Sequence, residues 1–301
     1  MGIMQATPYG HGTKWRGWIY AGPSLILFAL FMVFPIVENV VDSLYRNGVP
    51  GLTLFNYRAM LHDVTFGIAL KNSLLWLVLT TVVQMAIGFF VAVLLESRIR
   101  WGRGLYRTLL FLPMAITPTV IAIVFSNIYA PDYGLLFGVF KLLGIASRFP
   151  ALLASARTVT YAIIVVNVWQ WIGFYVLMYS VGIANISPEV LDAAKVDGVV
   201  GWRRIWYIIS PMVRSTHMSL MILGAIQALQ QFPLIYLMTE GGPANSSQVL
   251  GSYIFQTGFL ESNMNYASAV SIVLLVLALI VAGVQLLVTR GNFAIGGGTR
   301  S

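Results

Sequence analysis

The sequence predicts an all-α membrane protein with six transmembrane helices and a short cytoplasmic helix between the fourth and fifth spans. Three observations predict this fold class: a scarcity of charge, six long apolar stretches and an uneven distribution of basic residues. Charged residues make up 9% of the 301 positions, whereas soluble domains carry about 25%. A water-soluble fold is therefore excluded.

Six stretches of the chain have the length and apolarity of a transmembrane helix. Roughly 20 apolar residues cross a hydrocarbon core of about 30 Å. The predicted spans are about residues 17–40, 72–95, 106–130, 158–184, 212–239 and 264–289, all within one transmembrane domain over residues 1–301. The third span contains Pro113 and Pro118, which are expected to kink or break it. A seventh charge-free window, residues 241–260, is rich in Gly, Ser, Asn and Gln and is predicted to be a loop.

The basic residues predict the orientation, because Lys and Arg in short loops are retained on the cytoplasmic side. Twelve of the 18 Lys and Arg fall at the two termini, between spans two and three, and between spans four and five. Both chain ends are therefore predicted to be cytoplasmic. On the outer side six basic residues are balanced by six acids. The whole net charge of +8 therefore falls on the predicted cytoplasmic side. The sequence contains no basic stripe with interleaved aromatic residues, so it does not indicate a nucleic-acid partner.

The segment between spans four and five has the signals of a short helix, a turn and a second helix. Ser187 suits the N-cap, and Pro188 suits the first helical position. Glu189 and Asp192 lie near the N-terminus, where acids complement the helix dipole. Gly198 can adopt the left-handed conformation that ends a helix. The chain then resumes a helical pattern over residues 202–209.

The first of these two helices has two possible roles. Its apolar and small side chains would let another protein dock closely; they are Val190, Leu191, Ala193, Ala194 and Val196. Alternatively, the segment is an amphipathic helix at the lipid interface. That alternative suits Trp202 and Trp206 of the second helix better than it suits the acidic first helix.

Here the residues resemble a known family. Asp192-Ala193-Ala194, followed after three residues by Gly198, resembles the EAA loop of ABC-importer permeases. The longer run 191–211 is similar to the form found in carbohydrate-uptake permeases of the maltose and glycerol-phosphate type. Residues 106–118 with 131–135, and the Thr-x-Gly-Gly-Pro element at 239–243, agree with it. The chain is identified as a member of this binding-protein-dependent family over about residues 18–290.

The match departs from the family pattern at three positions. Asp192 replaces the usual Glu, Ser210 replaces the usual Leu before Pro211, and Ser215 replaces a frequent second Pro. These changes keep charge or turn tendency, so they affect the detail of docking rather than the assignment.

The resemblance implies that residues 187–211 form the coupling loop that docks into an ATPase subunit. The implied coupling residues are Glu189, Asp192, Ala193, Ala194, Asp197, Gly198 and Arg203. The implied partners are a cytoplasmic ATPase dimer that binds ATP and Mg, a second six-helix permease and an extracytoplasmic solute-binding protein. The implied location is the cell membrane of a bacterium or archaeon.

The chain itself is not expected to be an enzyme or to bind a cofactor. It contains no G-x-x-x-x-G-K-[ST] motif to hold ATP phosphates. Neither H-E-x-x-H nor G-x-S-x-G occurs, and the three His residues are not spaced as metal ligands. No catalytic residue and no metal site are therefore predicted.

Uncharged polar side chains lie in the middle of two predicted spans. One face of span four carries Asn167, Gln170, Trp171, Phe174 and Met178, and span five carries Gln227, Gln230 and Gln231. Unsatisfied amides in hydrocarbon cost several kcal/mol each, so these groups must face protein or water. All of them except Met178 are candidates for a path that a sugar could follow, because amides exchange hydrogen bonds with hydroxyls and aromatic rings cover sugar faces. Alternatively, the amides simply join helices.

The expected function is that of a permease subunit that moves a carbohydrate or polyol-type solute into the cytoplasm by alternating access. A permease for another polar solute, a secondary transporter and a channel or scaffold are the alternatives. A secondary transporter would need a charged mid-membrane site, and the spans contain none. A channel or scaffold would not need the loop at 192–211. The sequence does not choose among an oligosaccharide, a monosaccharide and a glycerol phosphodiester.

Overall fold

The computed structural model describes residues 14–46, 51–98 and 102–296 and consists there mainly of helices. Arg100 and Arg300, which contribute to the predicted orientation, lie outside the described residues. The first half of the described chain contains α1 (Lys14–Phe28), a π-helical turn (Ala29–Val33), α2 (Phe34–Ser43), α3 (Phe55–Leu61), α4 (Val64–Arg98), α5 (Arg103–Phe111), a 3-10 turn (Leu112–Ala115), α6 (Pro118–Ile128), α7 (Leu135–Leu142) and a 3-10 turn (Ala146–Arg148).

The second half begins with the long helix α8. It contains α8 (Val159–Ala184), α9 (Pro188–Val196), α10 (Gly201–Arg204), a π-helical turn (Ile205–Ile209), α11 (Ser210–Met212), α12 (Arg214–Leu229), α13 (Pro233–Thr239), α14 (Leu250–Phe255), a π-helical turn (Gln256–Leu260) and α15 (Met264–Gly296).

Six helical segments cover the six stretches that the sequence marks as spans. Among the described residues, four helices are long and apolar enough to cross a membrane alone: Tyr20–Ser43, Val64–Ser97, Val159–Ala184 and Met264–Leu287. Two bent pairs bring the number to six: Gly104–Ala115 with Pro118–Ile128, and Arg214–Leu229 with Pro233–Thr239. The second of the six starts earlier than the predicted residue 72, because α4 begins at Val64.

Prolines cause both bends. The third segment bends by 96° before Pro118, where Ile116 and Thr117 are extended with ψ of 135° and 146°. The residue before a proline disfavours the helical conformation, so the predicted break of this span is confirmed. The fifth segment bends by 41° before Pro233. Residues 212–239 are therefore not the single continuous span that was predicted, and Pro233 is the sequence signal for the break.

The predicted loop at residues 241–260 is wrong in its second half. Residues 250–260 are helical, as α14 and its π-helical turn. Buried Leu250 and Tyr253, with Ile254 beside them, pack against α3, α4 and α15. Their spacing of three and four residues is helical, and it was obscured by the Gly, Ser and Gln between them. Tertiary burial therefore outweighs a composition that favours a loop.

Hydrogen bonds fix the segment before α14 to the ends of two spans. Asn72 of α4 donates to the carbonyls of Ser246 and Gln248, both at 2.8 Å, and Thr160 of α8 donates to Ser246 at 3.1 Å. The backbone N–H of Leu250 donates to the Ser73 hydroxyl at 2.9 Å. The Thr-x-Gly-Gly-Pro element thus leads into a segment held by α4 and α8.

The helix α8 is the centre of the bundle. It packs along α4 and also contacts α5, α12 and α13. Two apolar clusters lie along it, one around Trp76 and Ile163 and the other around Phe89 and Tyr179. The first segment, by contrast, is unburied over its apolar window and reaches the bundle through contacts of α2 with α15. Burial of Trp76, Ile163 and Tyr179 to 1% exposure or less marks α4 and α8 as the core pair.

A glycine allows α5 to approach α8 closely. A Cβ at Gly173 would overlap the carbonyl group of Leu110 and would lie 2.7 Å from the Cα of Phe111. Both neighbours are backbone atoms, so a rotamer change cannot relieve the overlap.

We therefore expect Gly173→Ala to destabilise the protein by roughly 1–3 kcal/mol or more, because two helix backbones must separate. The matched control is Gly283→Ala in α15, where a Cβ has nothing within 4 Å and alanine favours the helix. Thermal unfolding in detergent would measure both. Equal unfolding temperatures for the two variants would contradict the close-approach argument.

Candidate solute cavity and coupling helix

A polar cavity of about 340 Å³ lies among α4, α8 and α12, at the breaks before α6 and α13. Its lining comprises Thr80, Gln84, Pro118, Asn167, Gln170, Trp171, Gly224, Gln227, Ala228, Gln230, Gln231, Pro233 and Leu234. Six of the seven residues predicted for a solute path are among them. None of these described lining residues carries a charge, so the walls offer amides, a hydroxyl and an indole.

The regular geometry of α8 brings its three members of the lining together. Asn167, Gln170 and Trp171 are separated by three and four residues, so they lie on one face. The other amides come from the end of α12 and the break that follows it, where Gln230 and Gln231 precede Pro233. The bend in the fifth segment thus turns two amides into the cavity wall.

Phe174 is the exception among the seven predicted residues, because it does not line the cavity. Its ring makes edge contacts with Trp171 and Tyr175, at 6.5 and 5.9 Å between centroids, and it packs against the apolar cluster of α4 and α8. The next residue, Tyr175, lies with its hydroxyl against Gly224 of α12.

The helix α4 also contributes to the cavity wall, through Thr80 and Gln84, which are not among the predicted residues. Gln84 is 3% exposed and donates its Nε2 hydrogen to the Asn167 side-chain oxygen at 3.1 Å and to its backbone oxygen at 3.4 Å. Thr80 donates to the carbonyl of Trp76 at 2.7 Å. A lone glutamine in the apolar run of α4 meets the same criterion that selected the amides of spans four and five.

A second hydrogen bond joins α8 to the break in the third segment. Gln170 is 3% exposed, and its Nε2 donates to the carbonyl oxygen of Ile116 at 3.4 Å. Ile116 is extended between the 3-10 turn and α6. An amide side chain from α8 thus supplies a donor to a carbonyl at the interrupted helix.

The helix α9 begins and ends where the sequence predicts, but Ser187 makes no side-chain capping hydrogen bond to the backbone. Ser187 is extended, with ψ of 136°, and Pro188 is the first helical residue. The Ser187 hydroxyl donates to the Glu189 carboxylate. Gly198 follows the helix with φ of +74°, a left-handed conformation that glycine adopts without strain.

The exposed side of α9 carries much of the predicted coupling set. The exposed members are Glu189, Asp192, Ala193, Asp197, Gly198 and Arg203. Ala194 is 4% exposed and faces the protein's own interior. Leu191 is half-buried against the apolar cluster around Phe89 and Tyr179. These two residues therefore attach α9 to the bundle and do not belong to its free surface.

Both acids on α9 are held ionised. A hydrogen bond from Ser187 lowers the pKa of Glu189 below its ordinary value. The hydrogen bond and the charge of Lys195, whose Nζ lies 2.6 Å from Asp192 Oδ1, lower the pKa of Asp192, and Arg204 adds to the effect. The exposed face of α9 thus remains negatively charged at neutral pH.

Aromatic contacts attach the second helix of this segment to α4. The Trp202 ring stacks on Phe90, with 5.5 Å between centroids and 4° between planes, and Trp206 meets the same ring edge-on at 6.1 Å. Further along, Ser210 lies 3.4 Å from His217 Nε2, while His217 Nδ1 lies 2.7 Å from the Tyr179 hydroxyl. The loop is therefore linked to α4, α8 and α12.

An all-helical bundle with an uncharged polar cavity and an exposed acidic helix between its fourth and fifth segments defines a membrane transport component. The family model for the binding-protein-dependent transport system inner membrane component matches residues 84–292. The chain belongs to this family, so it is a multi-pass membrane protein. The resemblance drawn from its motifs is confirmed.

Individual relatives agree with the family. YurN, a probable ABC transporter permease protein of Bacillus subtilis, is 32% identical and is matched over 89% of this chain and 94% of its own length. The lactose transport system permease protein LacF of Rhizobium radiobacter is 28% identical over 91% and 94%. The sn-glycerol-3-phosphate transport system permease protein UgpA of Agrobacterium fabrum is 27% identical over 89% and 92%.

A solved structure shares the fold. One chain of a bacterial ABC transporter involved in the import of the acidic polysaccharide alginate superposes with a TM-score of 0.83 at 21% identity, over 92% of this chain and 95% of that one. The predicted fold class, an all-α importer permease, is thereby confirmed.

The bond between Gln84 and Asn167 is expected to stabilise the packing of α4 against α8. We expect Gln84→Leu and Asn167→Leu to destabilise the protein singly and to be non-additive together, with a coupling of about 0.5–1.5 kcal/mol. Thermal unfolding of the single and double variants would measure it. Strictly additive effects would mean that the two amides do not interact.

Proposed function

We propose that this chain is one of two permease subunits of an ATP-driven importer that moves a carbohydrate or related polyol-type solute into the cytoplasm. The observation that carries the proposal is the cavity of about 340 Å³, with its amides, its hydroxyl and its indole and without a charged wall residue in the described chain. Amides bind sugar hydroxyls as donors and acceptors, while Trp171 offers an apolar ring face.

The same lining bears on the alternatives. A secondary transporter would couple to an ion through a charged or carboxylate-bearing site, which the described cavity wall does not supply. A phosphodiester would need a cation such as Arg or Lys beside it. The lining contributed by this chain therefore favours a neutral sugar or polyol, as the name of LacF indicates for that relative, over the substrate named for UgpA.

We propose that ATP and Mg are bound by a separate cytoplasmic ATPase dimer and that this chain hydrolyses nothing itself. The exposed acidic surface of α9 would dock into that dimer, with Glu189, Asp192, Ala193, Asp197, Gly198 and Arg203 as its contact residues. Ala194 and Leu191 would carry the movement into the bundle, because both pack against the chain's own core.

This assignment fixes the remaining partners and the orientation. The coupling helix must face the cytoplasm, so both termini would be cytoplasmic in a bacterial or archaeal cell membrane, in agreement with the basic-residue count. Six helices do not enclose a path alone, so a second six-helix permease would complete it. An extracytoplasmic binding protein would deliver the solute.

The test is purification followed by reconstitution. Co-isolation with an ATPase and a second permease, together with ATPase activity stimulated by a sugar and its binding protein, is the expected result. Isolation as a stable single chain with no associated ATPase would argue against the importer assignment. Stimulation by sn-glycerol 3-phosphate but by no sugar would overturn the proposed substrate class alone.

The coupling role predicts a loss of uptake on charge reversal. Asp192→Lys is expected to lower uptake at least tenfold while the complex remains in the membrane, because the acidic docking surface is replaced by a basic one. Gly198→Val should act similarly, because a β-branched residue does not tolerate φ of +74°. Solute uptake and ATPase activity would be measured in proteoliposomes.

The matched control is Asp192→Glu, which keeps the negative charge at the same exposed position and restores the residue usual in the family pattern. It should leave membrane insertion and uptake unchanged. Wild-type uptake by both Asp192→Lys and Gly198→Val would remove the coupling assignment.

A further inference from the structure

Two buried hydroxyl groups lie beside the cavity, where α4, α8 and α12 meet. Tyr175 is 0% exposed and Thr81 is 7% exposed. Neither hydroxyl oxygen has a hydrogen-bond partner among the described residues. Both nevertheless point at Gly224, which lines the cavity. A Cβ on Gly224 would lie 2.5 Å from the Tyr175 hydroxyl and 3.3 Å from Thr81 Oγ1.

The Tyr175 side chain is held in this position from both ends. At its base, a Cβ on Gly88 of α4 would lie 2.6 Å from Tyr175 Cβ, so the two helices are in close contact there. At its tip, the hydroxyl meets the bare Cα of Gly224. The Tyr175 side chain therefore packs against α4 at its base and against α12 at its tip.

Keeping these hydroxyls is unfavourable for folding alone. A buried hydroxyl without a partner destabilises a protein by about 1–3 kcal/mol, and a phenylalanine or valine of nearly the same shape would remove that penalty. A buried polar group left unsatisfied in a native structure calls for a specific explanation. Its position beside the cavity supplies one.

The direction of the side chains links the hydroxyls to the cavity. Side chains lean toward the N-terminus of their helix, and the N-terminal half of α8 supplies Asn167 and Gln170 to the cavity wall. Tyr175, one turn beyond Trp171, therefore directs its hydroxyl toward the polar space. The backbone of Gly224, which carries no side chain, lies between the hydroxyl and that space.

We propose that Tyr175 and Thr81 are solute-binding residues at the end of the path, whose hydroxyls bind the solute when α12 moves away from α4 and α8. The proposal rests on the proposed function. Each hydroxyl can donate and accept one hydrogen bond at the same site, which suits the hydroxyl groups of a sugar or polyol. Withdrawal of Gly224 would open both groups to the cavity at once.

The variants Tyr175→Phe and Thr81→Val test this proposal, because each removes only the hydroxyl function at nearly constant shape. The matched control is Ser180→Ala. Ser180 lies on the same helix, is 0% exposed and also lacks a hydrogen-bond partner among the described residues, but unlike the Tyr175 and Thr81 hydroxyls it is not among the atoms nearest to a Cβ on the cavity residue Gly224. The complete importer would be reconstituted in proteoliposomes, and uptake of lactose, maltose, an alginate oligosaccharide and sn-glycerol 3-phosphate would be measured.

Tyr175→Phe and Thr81→Val are each expected to lower uptake of the transported solute about five- to tenfold, the loss that corresponds to one hydrogen bond. Both should unfold at or above the wild-type temperature, because an unpaired hydroxyl is removed. Ser180→Ala should likewise unfold no earlier and should transport at the wild-type rate. A loss of uptake with retained stability is a combination that a purely structural role does not produce.

The outcomes separate this inference from the proposed function. Wild-type rates in both hydroxyl variants, or an equal loss in Ser180→Ala, would overturn the inference while sugar uptake by the wild-type complex upheld the function. Failure of the wild-type complex to transport any of the four solutes would overturn the proposed function and this inference with it. Should one hydroxyl variant fail to fold, the other decides, because the two lie on different helices.

Discussion

Hydrocarbon supplies no hydrogen bonds, and this constraint determines how the centre of the bundle is arranged. A buried amide must find a partner on a neighbouring helix or face an aqueous space. Gln84 meets the requirement by binding Asn167, and Gln170 meets it by binding the carbonyl of Ile116. These bonds bring α4, α8 and the interrupted third segment into one group, and the remaining amides of α12 complete a polar cavity between them.

The same constraint explains why the helix breaks lie at the cavity. Pro118 and Pro233 each interrupt a segment, and an interruption leaves backbone groups that must be satisfied by neighbours or by water. Placing both breaks at a polar cavity provides those partners. Glycines allow close packing around the cavity. Gly224, in the cavity wall, lies against Tyr175 and Thr81, and Gly173 lets the backbone of α5 approach α8.

The segment at residues 187–211 is linked to the cavity through packed side chains. Ala194 is buried, and Leu191 packs against the apolar cluster around Phe89 and Tyr179, which also contains Tyr175. Trp202 stacks on Phe90 of α4. A displacement of α9 would therefore act on α4 and α8, which carry the polar residues of the cavity wall. Closely packed interfaces of this kind transmit movement because they deform little.

The sequence was sufficient for features that depend on composition and local order. Charge scarcity and apolar length determined the six segments, because crossing a bilayer requires about 20 apolar residues whatever the tertiary arrangement. The ends of α9 followed from Ser187, Pro188 and Gly198, because the signals that begin and end a helix are local. The helical face of Asn167, Gln170 and Trp171 followed from periodicity alone.

Only the tertiary structure decided which side chains meet. The pairing of Gln84 with Asn167 joins residues 83 positions apart, and no periodicity within one helix encodes it. Likewise, the helix at 250–260 depends on burial of Leu250 and Tyr253 against other helices, and Phe174 packs in the apolar cluster around Phe89 and Tyr179 and does not line the cavity. The sequence by itself thus determined a six-segment importer permease with an exposed helix between its fourth and fifth segments. Contact between distant helices determined where its polar cavity lies, because such contacts depend on packing in three dimensions.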